Sequence, residues 1–263
     1  MCADTMKPAT AREVVASLHD ATFDELPSLI ERYTDDPRSQ IRQAVARAQK
    51  RLLAMREERD RVLGMYELEH ELSHGGVALG VDEVGRGAIA GPLTVCAVAL
   101  PYKPIIWGIN DSKQLTPLKR EALAAQIAEH ALAIGIAHIE PASIDAVGMA
   151  VAIRMGMSQA IESAGIDADV VLIDGNPVIV HPREVTLVKG DARVASIAAA
   201  SIVAKVTRDA MMVAYGEDYP EYGLESCKGY GSAQHIAAIK EKGLSPIHRV
   251  SFCGNFLETP RLF

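Results

Sequence analysis

Residues 77–92 read Val77-Ala78-Leu79-Gly80-Val81-Asp82-Glu83-Val84-Gly85-Arg86-Gly87-Ala88-Ile89-Ala90-Gly91-Pro92. An apolar run ends on two adjacent acids, a glycine-rich turn follows, and a second apolar run occupies 94–100. The spacing predicts strands over 78–84 and 94–100, joined as a hairpin. A strand that is apolar along its length belongs in a core. Ionised carboxylates at its end are costly there unless paired or bound to a cation. The same stretch therefore points to a buried sheet and to a site at its edge.

Beyond it the pattern alternates between helix and strand, the mark of an α/β fold. Thr116-Pro117 begins a helix to about 133, 134–139 reads as a strand, and Ser143 opens a helix to 164. Short strands follow at 169–174 and 184–188, and Asp191 leads an alanine-rich helix to about 214. Its face Ala195, Ala198, Ala199 and Ile202 is mostly small, so that helix can approach the sheet closely. A last helix spans 232–242.

Before the quoted stretch the composition changes, at Ser73-His74-Gly75-Gly76. This sets a boundary between a helical N-terminal extension, residues 1–73, and a domain over 74–263. In the extension, 23–33 reads as a short helix and Asp36-Pro37 starts a long one reaching 72. Ile41, Val45, Ala48, Leu52 and Met55 form its apolar stripe. Arg38, Arg42, Arg47, Lys50, Arg51 and Arg56 occupy a segment with no acidic residue. They form either a solvated face or an arm that follows phosphates and binds a duplex.

Composition narrows the class. The chain has 263 residues, 49% hydrophobic and 23% charged, which excludes general disorder. The longest charge-free stretch, 87–102, is interrupted by Pro92 and Pro101 and is too short for a membrane span. The first twelve residues carry no apolar signal segment. Cys2, Cys96, Cys227 and Cys253 lie far apart, so neither a disulfide framework nor a zinc site is expected, and a cytoplasmic location fits. The formal net charge of −7 argues against wholesale electrostatic binding to nucleic acid and leaves room for a local basic patch.

The placement of the acids is the most informative feature. Asp82 and Glu83 follow Val77–Val81, Asp174 ends the run 170–173, and Asp191 follows 186–190. One such aspartate is readily explained as a helix cap or turn. Four at strand ends, without a matching set of adjacent bases, point to hard divalent cations with oxygen ligands. Asp191, read as a helix start, is also expected to gain from the positive end of the helix dipole. The turn 85–91 departs from a dinucleotide fingerprint, because its third glycine comes one residue late and Pro92 replaces the helix. There is no P-loop and no HExxH; His181, His235 and His248 read first as structural or phosphate contacts. Lys113, Lys189, Arg193, Lys205, Lys228 and Arg249 are candidate phosphate contacts, each equally explained as surface charge.

Seven blocks together resemble bacterial ribonuclease HII: GVDEVGRG (80–87), NDSKQL (110–115), IDGN (173–176), KGD (189–191), SIAAASIVAKVTRD (196–209), KGYG (228–231) and SPIHR (245–249). They follow the family's order over 80–252, and 36–72 loosely resembles the helical extension of longer bacterial members. Ala88 is a departure from the usual residue, beyond the GRG turn, with a small backbone effect expected. The resemblance implies a ribonuclease H-like mixed five-stranded sheet flanked by helices. It implies cleavage of RNA in RNA–DNA hybrids and cutting 5′ to single ribonucleotides embedded in duplex DNA, leaving 3′-hydroxyl and 5′-phosphate ends. By the same resemblance Asp82, Glu83, Asp174 and Asp191 are the catalytic, metal-holding carboxylates for two Mg²⁺ or Mn²⁺ ions. Gly85, Arg86 and Gly87 match the turn that reads the ribose 2′-hydroxyl, and Tyr230 the aromatic that senses the RNA-to-DNA junction. Lys113 and Lys189 are expected at the substrate backbone. The closing Thr259-Pro260-Arg261-Leu262-Phe263 reads first as a frayed or self-packed terminus, and it resembles the end of a sliding-clamp-binding peptide without its leading glutamine.

Overall fold

The computed structural model describes residues 9–257; the expected clamp-binding tail, 259–263, lies outside them. The chain divides into two compact units, 1–61 and 62–263. In the first, α1 (Ala11–Asp20) opens with a reciprocal capping box between Thr10 and Glu13. This helix has no counterpart in the sequence reading. It is followed by α2 (Leu26–Tyr33) and α3 (Ser39–Leu72). Val14, Leu18, Leu26, Ile41, Ala44, Val45, Ala48 and Leu52 make the core of this unit, so the stripe expected on α3 is buried from Ile41 to Leu52. Three of the six bases in that segment make internal bonds, Arg42 donating to the Pro37 carbonyl at 3.1 Å. Arg38 pairs with Asp36 at 2.7 Å, and Arg51 donates to the carbonyls of Leu18 and Ala21 at the end of α1. Arg42, Arg47, Lys50 and Arg56 remain exposed.

The composition boundary at 73–74 marks the end of α3, whereas the units part inside that helix. The reason is burial: Val62, Met65 and Tyr66 belong to the core of the second unit. Glu69 is buried with them and its Oε2 accepts the Ser196 N–H at 2.6 Å.

The second unit is built on β1 (Ala78–Val84), β2 (Leu93–Ala99), β3 (Ala133–Ile139), β4 (Val170–Asp174) and β5 (Glu184–Leu187). Their order is β3-β2-β1-β4-β5; β3, β2 and β1 pair antiparallel, while β1, β4 and β5 pair parallel. The expected hairpin and the mixed five-stranded sheet are both present. Helices α4 (Pro117–His130), α5 (Pro141–Val147), α6 (Met149–Ala164) and α7 (Ala195–Asp218) flank it, followed by α8 (Leu224–Cys227), α9 (Ala233–Lys242) and α10 (Val250–Cys253). Along β2, Cys96 and Val98 pack with α7, and Val95, Ala97 and Ala99 pack with α6, so both faces are covered.

Two sequence expectations change. The helix expected over 143–164 is two helices, broken at Gly148, whose φ of 77° no helix accommodates. The helix expected to start at Asp191 starts at Ala195, and Asp191 sits in a separate 3₁₀ turn, 190–192. Asp191 therefore does not cap α7; the α7 amide of Ser196 is satisfied by Glu69 instead. The small face does bring α7 against the sheet. A Cβ on Gly80 would stand 2.2 Å from the Ser196 carbonyl carbon, so only glycine permits that approach.

Candidate active site

The acids gather at one edge of the sheet because of strand pairing. Val81 lies opposite Ile173 in the parallel β1–β4 pair, so Asp82 and Asp174 leave adjacent strands side by side. Asp174 Oδ1 accepts the Gly190 N–H at 2.7 Å, which ties β4 to the 3₁₀ turn carrying Asp191. Glu83 follows on β1, with its carboxylate 3.8 Å from the Arg86 guanidinium. Asp82 and Asp191 are both buried.

The electrostatics are those of crowded negative charge. Burial, then the neighbouring Glu83 and Asp174, pushes Asp82 up to about 8, while the Ser201 hydroxyl pulls the other way. Glu83 is raised by burial, against the opposing effect of Arg86. Asp191 is raised by burial and by Asp111 and Asp174. Burial works against the charge of Lys113, yet Asp111, Asp82, Asp191 and Asp174 together raise it. Its ammonium lies 3.9 Å from Asp111 and 4.0 Å from Asp191.

Asp111 was missed in the sequence reading, although its neighbour Lys113 was singled out. Its side chain accepts the Lys113 N–H at 2.9 Å and opens a 3₁₀ turn. Asn110, Asp111, Lys113, Asp174, Lys189 and Asp191 line a cleft of about 570 Å³. Among the described residues no group of three or more His, Cys, Asp or Glu side chains is placed to hold a metal ion. The donor set is all oxygen and carries more negative charge than Lys113 and Arg86 offset. It fits hard divalent ions such as Mg²⁺, which take few carboxylates and retain water ligands.

The glycine-rich turn adjoins this edge. At Gly85 φ is 89° and a Cβ would meet Arg208 Nε at 2.3 Å, so the position requires glycine twice over. Around Gly87 there is open space, and Arg86 is exposed. The turn is bound to the Tyr230 loop: the Ile89 and Ala90 N–H groups donate to Gly229 O at 2.9 and 3.1 Å. Tyr230 is 37% exposed, with the Arg208 guanidinium 5.6 Å from its ring centroid. Lys189 is exposed in a left-handed conformation, φ 56°.

Arg249 is not a phosphate contact. It is fully buried and donates to the carbonyls of Gly85, Ala88 and Gly91 at 2.7, 2.9 and 3.0 Å. Arg208, also buried, holds the carbonyls of Pro92, Ala90 and Lys228. Together they form a template around which the turn is wound. Lys205 is engaged by Asp209 at 2.8 Å, and the Lys228 ammonium donates to Glu225 O. His235 and His248 are buried and structural, while the exposed Arg193 reaches only the Val188 carbonyl, at 3.4 Å.

The sequence model described as Ribonuclease HII matches residues 79–255, and the one described as Ribonuclease HII N-terminal domain matches 10–73. The chain belongs to the ribonuclease HII family. Ribonuclease HII of Lachnoclostridium phytofermentans is 44% identical over 227 residues, covering 86% of this chain and 89% of the relative. That of Enterococcus faecalis is 40% identical over 243 residues, covering 92% and 94%. The crystal structure of the ribonuclease H2 from Pyrococcus horikoshii superposes with a TM-score of 0.59 at 27% identity, covering 70% of this chain and all of that one. Ribonuclease HII of Archaeoglobus fulgidus, solved in complex with PCNA, shares the fold with a TM-score of 0.57 at 24% identity, over 66% of this chain and 94% of that one. With ribonuclease HII membership comes endoribonuclease activity on RNA–DNA hybrids.

Proposed function

We propose that this ribonuclease HII chain hydrolyses the RNA strand of hybrids and also cuts on the 5′ side of a single ribonucleotide embedded in duplex DNA, leaving 3′-hydroxyl and 5′-phosphate ends. The observation that carries this reading is the convergence of carboxylates from β1, the end of β4 and the 190–192 turn beside the 85–87 turn, where Gly85 is buried and Arg86 and Gly87 are exposed. Asp82, Glu83, Asp174 and Asp191 would hold two divalent ions, Mg²⁺ or Mn²⁺, whose chemistry is activation of water and stabilisation of the departing 3′ oxygen. The chain's own groups do the rest. Lys113 and Lys189 offer ammonium groups at the cleft to the phosphodiester backbone. The exposed Arg86 and Gly87 of the turn would approach the ribose, where one hydroxyl distinguishes RNA from DNA. A site built to bond that hydroxyl rejects its absence by roughly 10⁴–10⁵. Tyr230, half exposed beside the turn, supplies a ring and a phenol to the RNA-to-DNA junction.

Product mapping on a labelled duplex with one ribonucleotide, with and without divalent metal, tests this reading. Metal-dependent cutting at the 5′ side is expected. Strong cleavage of a four-ribonucleotide run with none at the single ribonucleotide would replace it by a nuclease limited to longer hybrids. For the cell we propose a cytoplasmic location; among the described residues no helix is long and apolar enough to cross a membrane. A separate contact with a sliding clamp is proposed for Leu262 and Phe263, on the tail's sequence alone. A clamp pull-down unchanged by their removal would dispose of it.

A further inference from the structure

Behind Tyr230 lies a pair of buried imidazoles that the proposed chemistry does not use. His235 sits in α9 and His248 in the 245–249 segment, 0% and 3% exposed, with their Nε2 atoms 3.0 Å apart. Neither ring forms a salt bridge among the described residues, though Glu221 lies near enough to act on His248. They pack edge-on against the ring of Tyr222, 5.9 and 4.6 Å between centroids. Their hydrogen bonds have one consistent direction. The backbone N–H of Ser245 donates to His248 Nδ1 at 3.0 Å, and a backbone N–H can only donate. Nδ1 of His248 is therefore the bare nitrogen, and in the neutral ring its proton is on Nε2. That proton points at His235 Nε2, which must accept, so His235 carries its proton on Nδ1. There it donates to the Tyr230 carbonyl at 2.9 Å, with Cys227 Sγ 3.6 Å from the same nitrogen. The Tyr230 carbonyl also accepts the Ser232 N–H at 2.8 Å, so both its lone pairs are committed.

We infer that His235 and His248 form a fixed-tautomer relay that positions Tyr230, and through it sets how sharply a ribonucleotide flanked by DNA is preferred over continuous hybrid. The geometry favours a positioning role over simple filling. The relay ends on the backbone of the one exposed ring in this loop, whose other face is held by Arg208. Its residues touch none of the four carboxylates, so losing it leaves the hydrolytic step intact. The inference rests on the proposed junction role of Tyr230.

Two substitutions separate the relay from packing. Asparagine at 235 places an amide N–H near the position of Nδ1 and can keep the bond to the Tyr230 carbonyl. Glutamine places its amide near Nε2 and cannot. The readout is the ratio of kcat/KM on a duplex with one embedded ribonucleotide to kcat/KM on a continuous RNA–DNA hybrid. His235→Gln is expected to lower that ratio about tenfold, the worth of one buried hydrogen bond, while His235→Asn stays within about threefold of the parent. Cleavage of the continuous hybrid is expected to change little in either. Equal ratios in the two variants, with Tyr230→Ala still lowering the ratio, would overturn the relay while leaving the junction role standing. An unchanged ratio in Tyr230→Ala would remove the junction role and the relay with it. Imidazole ¹⁵N shifts of the unmodified protein at pH 7.5 give a test independent of any variant's folding. His235 protonated on Nδ1 and His248 on Nε2 is expected, and the reverse assignment for His235 overturns the inference.

Discussion

Two regions of the catalytic unit handle charge in opposite ways. At the sheet edge, Asp82, Glu83, Asp174 and Asp191 are packed together with too few cations, so burial and mutual repulsion raise Asp82, Glu83 and Asp191. Later in the chain, Arg208 and Arg249 are buried without a salt bridge to a carboxylate among the described residues, and backbone carbonyls accept their hydrogen bonds. Burial and the nearby Arg208 lower Arg249 to about 10, which leaves it charged at neutral pH. The first region leaves its acids without matching cations among the described residues. The second directs its charge at backbone carbonyls and so holds a turn in shape, with Arg249 Nη2 left without a hydrogen-bond partner among the described residues.

The sharpest way to break this contrast is to neutralise one member of each region. Asp82→Asn is expected to lower cleavage of a single-ribonucleotide duplex by on the order of 10³ or more, with binding of the duplex largely retained. Its urea midpoint should be unchanged or higher, because a costly buried carboxylate is gone. Undiminished cleavage would remove the catalytic reading of the acids. Arg249→Leu is expected to do the reverse: it strands several buried carbonyls and costs about 3 kcal/mol or more of stability. The salt dependence of duplex binding should stay the same in whatever fraction folds, since Arg249 meets no phosphate.

The histidine pair sharpens the comparison through pH. Burial, followed by the adjacent His235, lowers His248 from 6.5 to about 4. Between those values the unfolded chain binds more protons than the folded one, so stability rises with pH across the window. Unfolding free energy should therefore fall as pH drops from about 6.5 towards 4, by on the order of 1 kcal/mol or more. The decline should be shallower in His248→Gln. A parent and variant that lose stability in parallel would show that other groups carry the acid sensitivity.

The smallest effect is expected on α3. Replacing the exposed Arg42, Arg47, Lys50 and Arg56 with glutamine should weaken duplex binding modestly and flatten its salt slope without moving the cut site. An unchanged slope leaves those residues as a solvated face. Truncation at 73 is the wrong instrument for this question, because it also removes Val62, Met65, Tyr66 and Glu69 from the catalytic unit.

Much of the sheet was legible because strands over 78–84, 94–100, 134–139, 169–174 and 184–188 are written as local apolar runs, and the observed strands differ from them by a residue or so at the ends. Periodicity is a short-range signal, and it reports elements well. The four acids were legible for the same reason, each interrupting or ending such a run. The break at Gly148 was not, since a glycine inside an apolar helical pattern looks like any tolerated glycine until its φ is known.

Local patterning sets the strands of the sheet and where the acids stand on them, but neither α1 nor the break at Gly148. Only the tertiary structure decided which charges face outward. Arg249 reads as one more basic residue in SPIHR, yet it reaches the Gly85 carbonyl across 164 positions. Glu69 lies in the helical extension with no sequence signal of its own, and its carboxylate, raised by burial to about 7, satisfies an α7 amide 127 positions away. Periodic patterns encode preferences within a few residues. Whether a charge meets solvent or a carbonyl depends on partners brought together by packing, and no local pattern carries that information.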